Sequence, residues 1–153
     1  MQLSKDFELT EFTVSQTAAR LGVENIPDAN QIESLRKLCV NVLQPFRDIV
    51  DMPIIINSGF RCDQLNALIG GASRSQHTKG EAADIIVPRM GIEEAFELLT
   101  KSLEFDQAIL EFNSWIHISY VDPNSGDNRG QRLIALNDLG KIKYIPYEDN
   151  EIK

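Results

Sequence analysis

The order of apolar and polar positions divides the chain into a helical first part and a strand-rich second part. In "TVSQTAARLG", Thr13 as N-cap, Gln16 three residues on and Gly22 as a stop predict a short helix. "DANQIESLRKLCVNVLQPFRDIV" predicts a longer one. Asp28 and Gln31 form its capping box, and Ile32, Leu35, Leu38, Val42, Phe46 and Ile49 recur at helical spacing as one core-facing stripe. Pro45 lacks an N–H and its ring clashes with the preceding turn, so the helix should kink or break near Gln44. "MPIIIN" then predicts a short buried strand, "SGFRC" a turn, and "DQLNALI" a small helix stopped by Gly70 and Gly71.

Beyond that point strands dominate. "AADIIV" is a strand, and "GIEEAFELLTKSL" an amphipathic helix through Ile92, Ala95, Phe96, Leu99 and Leu103. "DQAILEF" and "WIHISY" are two strands joined near Asn113 and Ser114. "RLIALNDLGKIKYIPY" predicts a hairpin turning at "NDLG", and residues 146–153 a loose C-terminal tail. Helices followed by mostly hairpin-linked strands define an α+β domain with a mainly antiparallel sheet. No repeat or linker divides the chain, so all 153 residues are expected to form one domain.

Charge and cysteine content narrow the chemistry. A formal charge of −8 argues against a general nucleic-acid binder, which needs a basic face to neutralise phosphates. No apolar run approaches the ~20 residues that span a bilayer, and "MQLSKDFELTEF" lacks the apolar core of a secretory signal. The expectation is a protein made in the cytoplasm. Cys39 and Cys62 lie far apart without a CxxC spacing and are expected to be reduced.

Only two histidines occur in the chain, and both stand in unusual company. His77 lies in the polar, glycine-containing "SRSQHTKGEAADI". Asp84 sits on an otherwise apolar strand, and His117 on a second one between Ile116 and Ile118. A buried carboxylate without a partner is costly, so Asp84 demands a cation or several donors. Zinc would meet that demand, because two imidazoles and one carboxylate are a common catalytic ligand set. Strand alternation places Ala82, Asp84 and Ile86 on one face and Ala83 and Ile85 on the other. It likewise aligns Trp115, His117 and Ser119.

"SQHTKGEAAD" matches the SxHxxGxAxD motif of the zinc D-Ala-D-Ala peptidases, and "WIHISY" resembles their second motif, which supplies the last histidine ligand. The resemblance runs from about Leu3 to Tyr120 and is nearest to members of that family encoded by bacteriophages and prophages. It implies the fold shared by the D,D-peptidases and the hedgehog signalling domain. It also implies one Zn2+ per chain held by His77, Asp84 and His117, and a substrate among peptidoglycan stem peptides. A protein of this kind would act on the cell wall after release, as a phage lysin does.

The resemblance extends to other residues. Arg61, in an SG(Y/F)R context, corresponds to an arginine associated with the peptide end of the substrate. Beside that resemblance, Ser75 and Gln76 are expected to hydrogen-bond the substrate or to orient their loop, and Trp115, aligned with His117 by strand alternation, to wall the cleft or to serve as ordinary packing. One position departs from the family pattern. The acidic residue common three positions before the last histidine is here Ser114, which cannot act as a carboxylate. Glu111 is the nearest replacement for the catalytic base, with Asp106 further back on the same strand. An odd number of loop residues between the two strands would set Glu111 and His117 on one face; an even number would set them on opposite faces. Without a carboxylate in the site, the chain would instead be a zinc-containing peptidoglycan-binding or phage structural module of the same fold.

Overall fold

The structure, a computed structural model, describes residues 1–148. Two short strands, β1 (Gln2–Ser4) and β2 (Phe7–Glu8), pair with each other and bury Leu3 and Phe7. Helices α1 (Thr10–Thr13) and α2 (Gln16–Leu21) come next, separated by extended Val14. The N-cap of α2 is Ser15, whose Oγ accepts from the Ala18 N–H, and not Thr13, which ends a turn of its own; Gly22 stops α2 in a left-handed conformation as expected.

The long helical segment begins with the expected capping box of Asp28 and Gln31 on α3 (Ala29–Leu38). Before Pro45 the chain widens into a π turn, Cys39–Leu43, and continues as α4 (Gln44–Val50). The wider turn removes the clash between the proline ring and the carbonyl one α-turn earlier. It also rotates α4 relative to α3. Leu35, Leu38, Val42 and Phe46 are buried, but Ile49 is 46% exposed and Val50 takes the inward position at 7%. A stripe extrapolated at unbroken helical spacing therefore misplaces Ile49.

Strand β3 (Ile55–Ser58) leads to α5 (Asp63–Leu68), a 3₁₀ turn at Gln76–Lys79, β4 (Ala82–Ile86) and α6 (Ile92–Ser102). Strands β5 (Gln107–Glu111), β6 (Trp115–Ser119), β7 (Gln131–Asp138) and β8 (Lys141–Pro146) complete the chain. The main sheet has the order β3-β4-β6-β5-β7-β8. All its pairings are antiparallel except β5 with β7, because the 120–130 segment carries the chain past β5 before β7 begins. The α+β class with a mainly antiparallel sheet is thus as expected. The buried character expected of β3 is not. It is an edge strand paired only with β4 among the described residues, and Ile55 is half exposed.

One face of the sheet is covered and the other is free for chemistry. Ala83, Ile85, Ala108, Leu110, Ile116 and Ile118 join Phe96 and Leu99 of α6 and the inward side chains of α3 and α4 in a single core. Burying these apolar surfaces supplies the main drive to fold at roughly 25 cal/mol per Å². The last hairpin turns through Leu139 and Gly140, both with positive φ, as a two-residue turn between right-twisted strands requires. Within the expected tail, Pro146 ends β8 and Tyr147 is buried, its ring 4.7 Å from that of Phe96. Residues 149–153 lie outside the described residues. Among the described residues no helix is long and apolar enough to cross a membrane, and both cysteines are free thiols.

Candidate metal centre

Asp84 and His117 meet because β4 and β6 pair with these residues directly opposite each other. Alternation turns Ala83 and Ile85 into the core and leaves Asp84 on the open face. His77 arrives from the 3₁₀ turn, whose N-cap Ser75 accepts from the His77 N–H through its Oγ. The turn ends at Gly80 with φ of +75°, and a Cβ there would stand 2.4 Å from the carbonyl oxygen of Gln31. Only glycine meets both conditions, a left-handed backbone and contact with α3.

His77 Nε2 lies 3.3 Å and His117 Nδ1 lies 3.2 Å from the same oxygen of Asp84, and the ligating atoms of all three residues fall within 4.8 Å of one another. A tetrahedral zinc centre with bonds of ~2.0–2.1 Å has ligand-to-ligand edges of ~3.3–3.4 Å, so the two measured edges fit such an ion. His77 is also prepared in its tautomer. Its Nδ1–H donates to the Gly59 carbonyl at 2.7 Å, leaving the Nε2 lone pair for a metal. Gly59 itself tolerates no side chain, since a Cβ would stand 2.6 Å from the Cα of Phe12. Burial alone would raise the Asp84 pKa. The two neighbouring imidazoles, His117 and His77, outweigh it and hold the carboxyl below the usual range.

The loop between β5 and β6 has three residues, Phe112 to Ser114, with Glu111 opposite Trp115 and Ile109 opposite His117. The number is odd, so Glu111 and His117 share the open face. Glu111 is half-buried. Burial raises its pKa and the Asp84 carboxylate raises it further, against the pull of His117 and Arg61. Ser114 sits exposed in the turn and donates from its Oγ to the Phe112 carbonyl at 3.0 Å.

Arg61 stands behind the cluster, with Nη2 3.9 Å from Asp84 Oδ2 and Nη1 donating to Asn66 Oδ1 at 3.1 Å. Two residues that position it have no marked sequence signal. Buried Asn66 also donates to the Ala72 carbonyl, and Asn25 bonds the Phe60 carbonyl and the Cys62 N–H, bracing the Arg61 loop on both sides. Of the remaining candidates, Ser75 and Gln76 line a groove of about 620 Å³ that reaches His77 and His117. The walls of that groove include Ile109, Leu133 and Tyr144. Trp115 packs instead on Phe112, ring centroids 5.7 Å apart. Asp106 is not near the cluster as a free base. It is buried and bonded to Arg129 and Gln76.

No match was found among curated proteins. The model of the peptidase M15 family matches residues 5–119, which include the candidate ligands, Arg61 and Glu111. With a matched span that covers most of the chain, and a two-histidine, one-aspartate cluster of zinc-like dimensions at its centre, the chain belongs to the M15 family of zinc D-Ala-D-Ala peptidases.

Proposed function

We propose that the protein hydrolyses D-amino-acid-containing peptide bonds in bacterial peptidoglycan, as an endolysin-like enzyme of the phage type, with one Zn2+ held by His77, Asp84 and His117. The observation that carries this reading is the presence of Glu111 on the same face of the sheet as the three ligands, which supplies the site with a carboxylate despite serine at position 114. Zinc bound there would polarise the scissile carbonyl and bring the pKa of a water towards ~7. Glu111 accepts the proton of the attacking water and delivers it to the departing amine nitrogen. A carboxylate with a raised pKa suits both steps, being basic enough to take the proton and acidic enough to return it.

The other side chains bind and orient. Arg61, held by Asn66, offers its planar fork to a carbonyl or carboxylate of the peptide. Ser75 fixes the backbone of His77, and Gln76 donates to Asp106 while lining the groove. Asp84, only partly exposed, places one carboxylate oxygen within reach of both imidazoles. Purified peptidoglycan incubated with the protein should release new amino groups, and a chelator should stop the release. Binding to wall without release would favour a non-catalytic module instead.

A further inference from the structure

The groove beside the cluster presents three guanidinium groups in a chain of acidic net charge. The chain carries a net charge of −8, yet among the described residues the groove is lined by Arg61, Arg74 and Arg129 and by no aspartate or glutamate. Gln107 and Gln131 add amide groups to the lining. Gln107 Nε2 donates to Gln131 Oε1 at 2.8 Å, and both side chains line the groove.

Two of these arginines are not needed by the metal cluster. Arg129 is anchored along one edge: its Nε and Nη2 donate to Asp106 at 3.0 and 2.9 Å, and its backbone N–H donates to the same carboxylate at 3.1 Å. Asp106 is 3% exposed, and it also accepts from Gln76, the residue preceding His77. Arg129 remains about half exposed, and its Nη1 makes no hydrogen bond among the described residues. A guanidinium fixed on one edge and open on the other is a preorganised donor, which loses little entropy when it binds an oxyanion. Arg74 is exposed and supplies unpaired charge. Its loop is tied down by the Ser75 N–H and Asn66 Nδ2, which both donate to the Ala72 carbonyl.

Resting on the peptidase reading above, we infer that Arg74 and Arg129 form a carboxylate-reading rim, so that the preferred substrate is a peptide with free carboxylates beside the cleaved bond rather than its amidated counterpart. Arg129 contributes geometry, since Asp106 offsets its charge from behind, and Arg74 contributes the field. Arg129 also lies outside the segment matched by the family model, so the chain's C-terminal part adds a selectivity element to the shared core.

The test compares one stem peptide with its side carboxylates free and the same peptide with them amidated. The readouts are cleavage by the zinc-loaded protein and calorimetric binding to the zinc-free protein. The free-carboxylate peptide should be favoured by roughly tenfold or more in kcat/KM and in affinity, as loss of a hydrogen bond to a charged group implies. Arg74→Gln and Arg129→Gln should each lower that preference, measured as the ratio between the two peptides. Equal handling of both peptides by the parent, or a preference that survives both substitutions, overturns the inference. If Arg129→Gln fails to fold because Asp106 loses its partner, exposed Arg74→Gln decides alone. Arginine-dependent binding preference without cleavage of either peptide would sustain the rim and overturn the peptidase reading.

Discussion

Glu111 and His117 stand on the same face of the sheet because three residues, Phe112 to Ser114, separate their strands and set Glu111 opposite Trp115. One residue more or fewer in that turn would send the carboxylate into the core. Phe112 and Asn113 both have positive φ, the backbone cost of making this tight connection. The turn therefore decides whether the open face carries this carboxylate.

Glu111→Gln keeps the size of the side chain and removes its basicity. Turnover should fall by roughly 10²–10⁴-fold with zinc content unchanged. Because the pKa of Glu111 is raised, the acid limb of the parent's pH profile should lie above that of an ordinary glutamate, with activity rising as Glu111 deprotonates, and the variant should lose that limb. Ser114→Glu should bring no gain, since position 114 is exposed in the turn. Steady-state rates across pH would check all three.

His117→Ala leaves Asp84 with a single imidazole partner. Zinc affinity should fall by more than the ~10–100-fold typical of losing an outer-shell partner, and metal analysis after dialysis should find one zinc in the parent and little in the variant. The core lies on the other face of the sheet, so chelator-treated parent should keep its circular dichroism spectrum. Wholesale unfolding would show that the metal is a structural staple.

Arg61→Lys retains the charge and loses the fork. If the enzyme reads a free peptide terminus, the substitution should reduce kcat/KM on a D-Ala-terminated peptide by roughly 10–100-fold and much less on the amidated peptide. An endopeptidase should lose comparable activity on both, and both should be poor substrates beside intact wall. The second outcome is expected. Parallel assays on the two peptides and on peptidoglycan distinguish them.

Asp106→Asn tests the brace beneath the groove. Burial alone would raise the Asp106 pKa, but the hydrogen bonds from Arg129 and Gln76 outweigh it and keep it below its ordinary value. A carboxyl depressed on folding adds stability that is present above the unfolded value of ~3.9 and is lost as pH falls through the folded value. The variant should be less stable at neutral pH by on the order of 1–3 kcal/mol, and its deficit should shrink with acidification. Thermal unfolding of parent and variant between neutral and acid pH measures the difference.

Much of this molecule can be read from local order. The Asp28–Gln31 box, the stop at Gly22, the strands around Asp84 and His117 and the turn through Gly140 all depend on neighbours within a few residues, where capping and strand alternation act. The metal set is legible for the same reason, since "SQHTKGEAAD" holds two ligands within one short segment and a glycine between them. Distant partners are not. That Ile49 faces outward depends on the π turn before Pro45, and the exposure of β3 depends on where the sheet ends. The parity of the Glu111 loop, the capture of Asp106 by Arg129 and the bracing of Arg61 by Asn66 arise from strand pairing and close packing. Local sequence determines which groups a segment can present. Only the folded chain, by bringing remote segments within a few ångströms, decides which carboxylate is held by an arginine and which is left beside the candidate metal ligands.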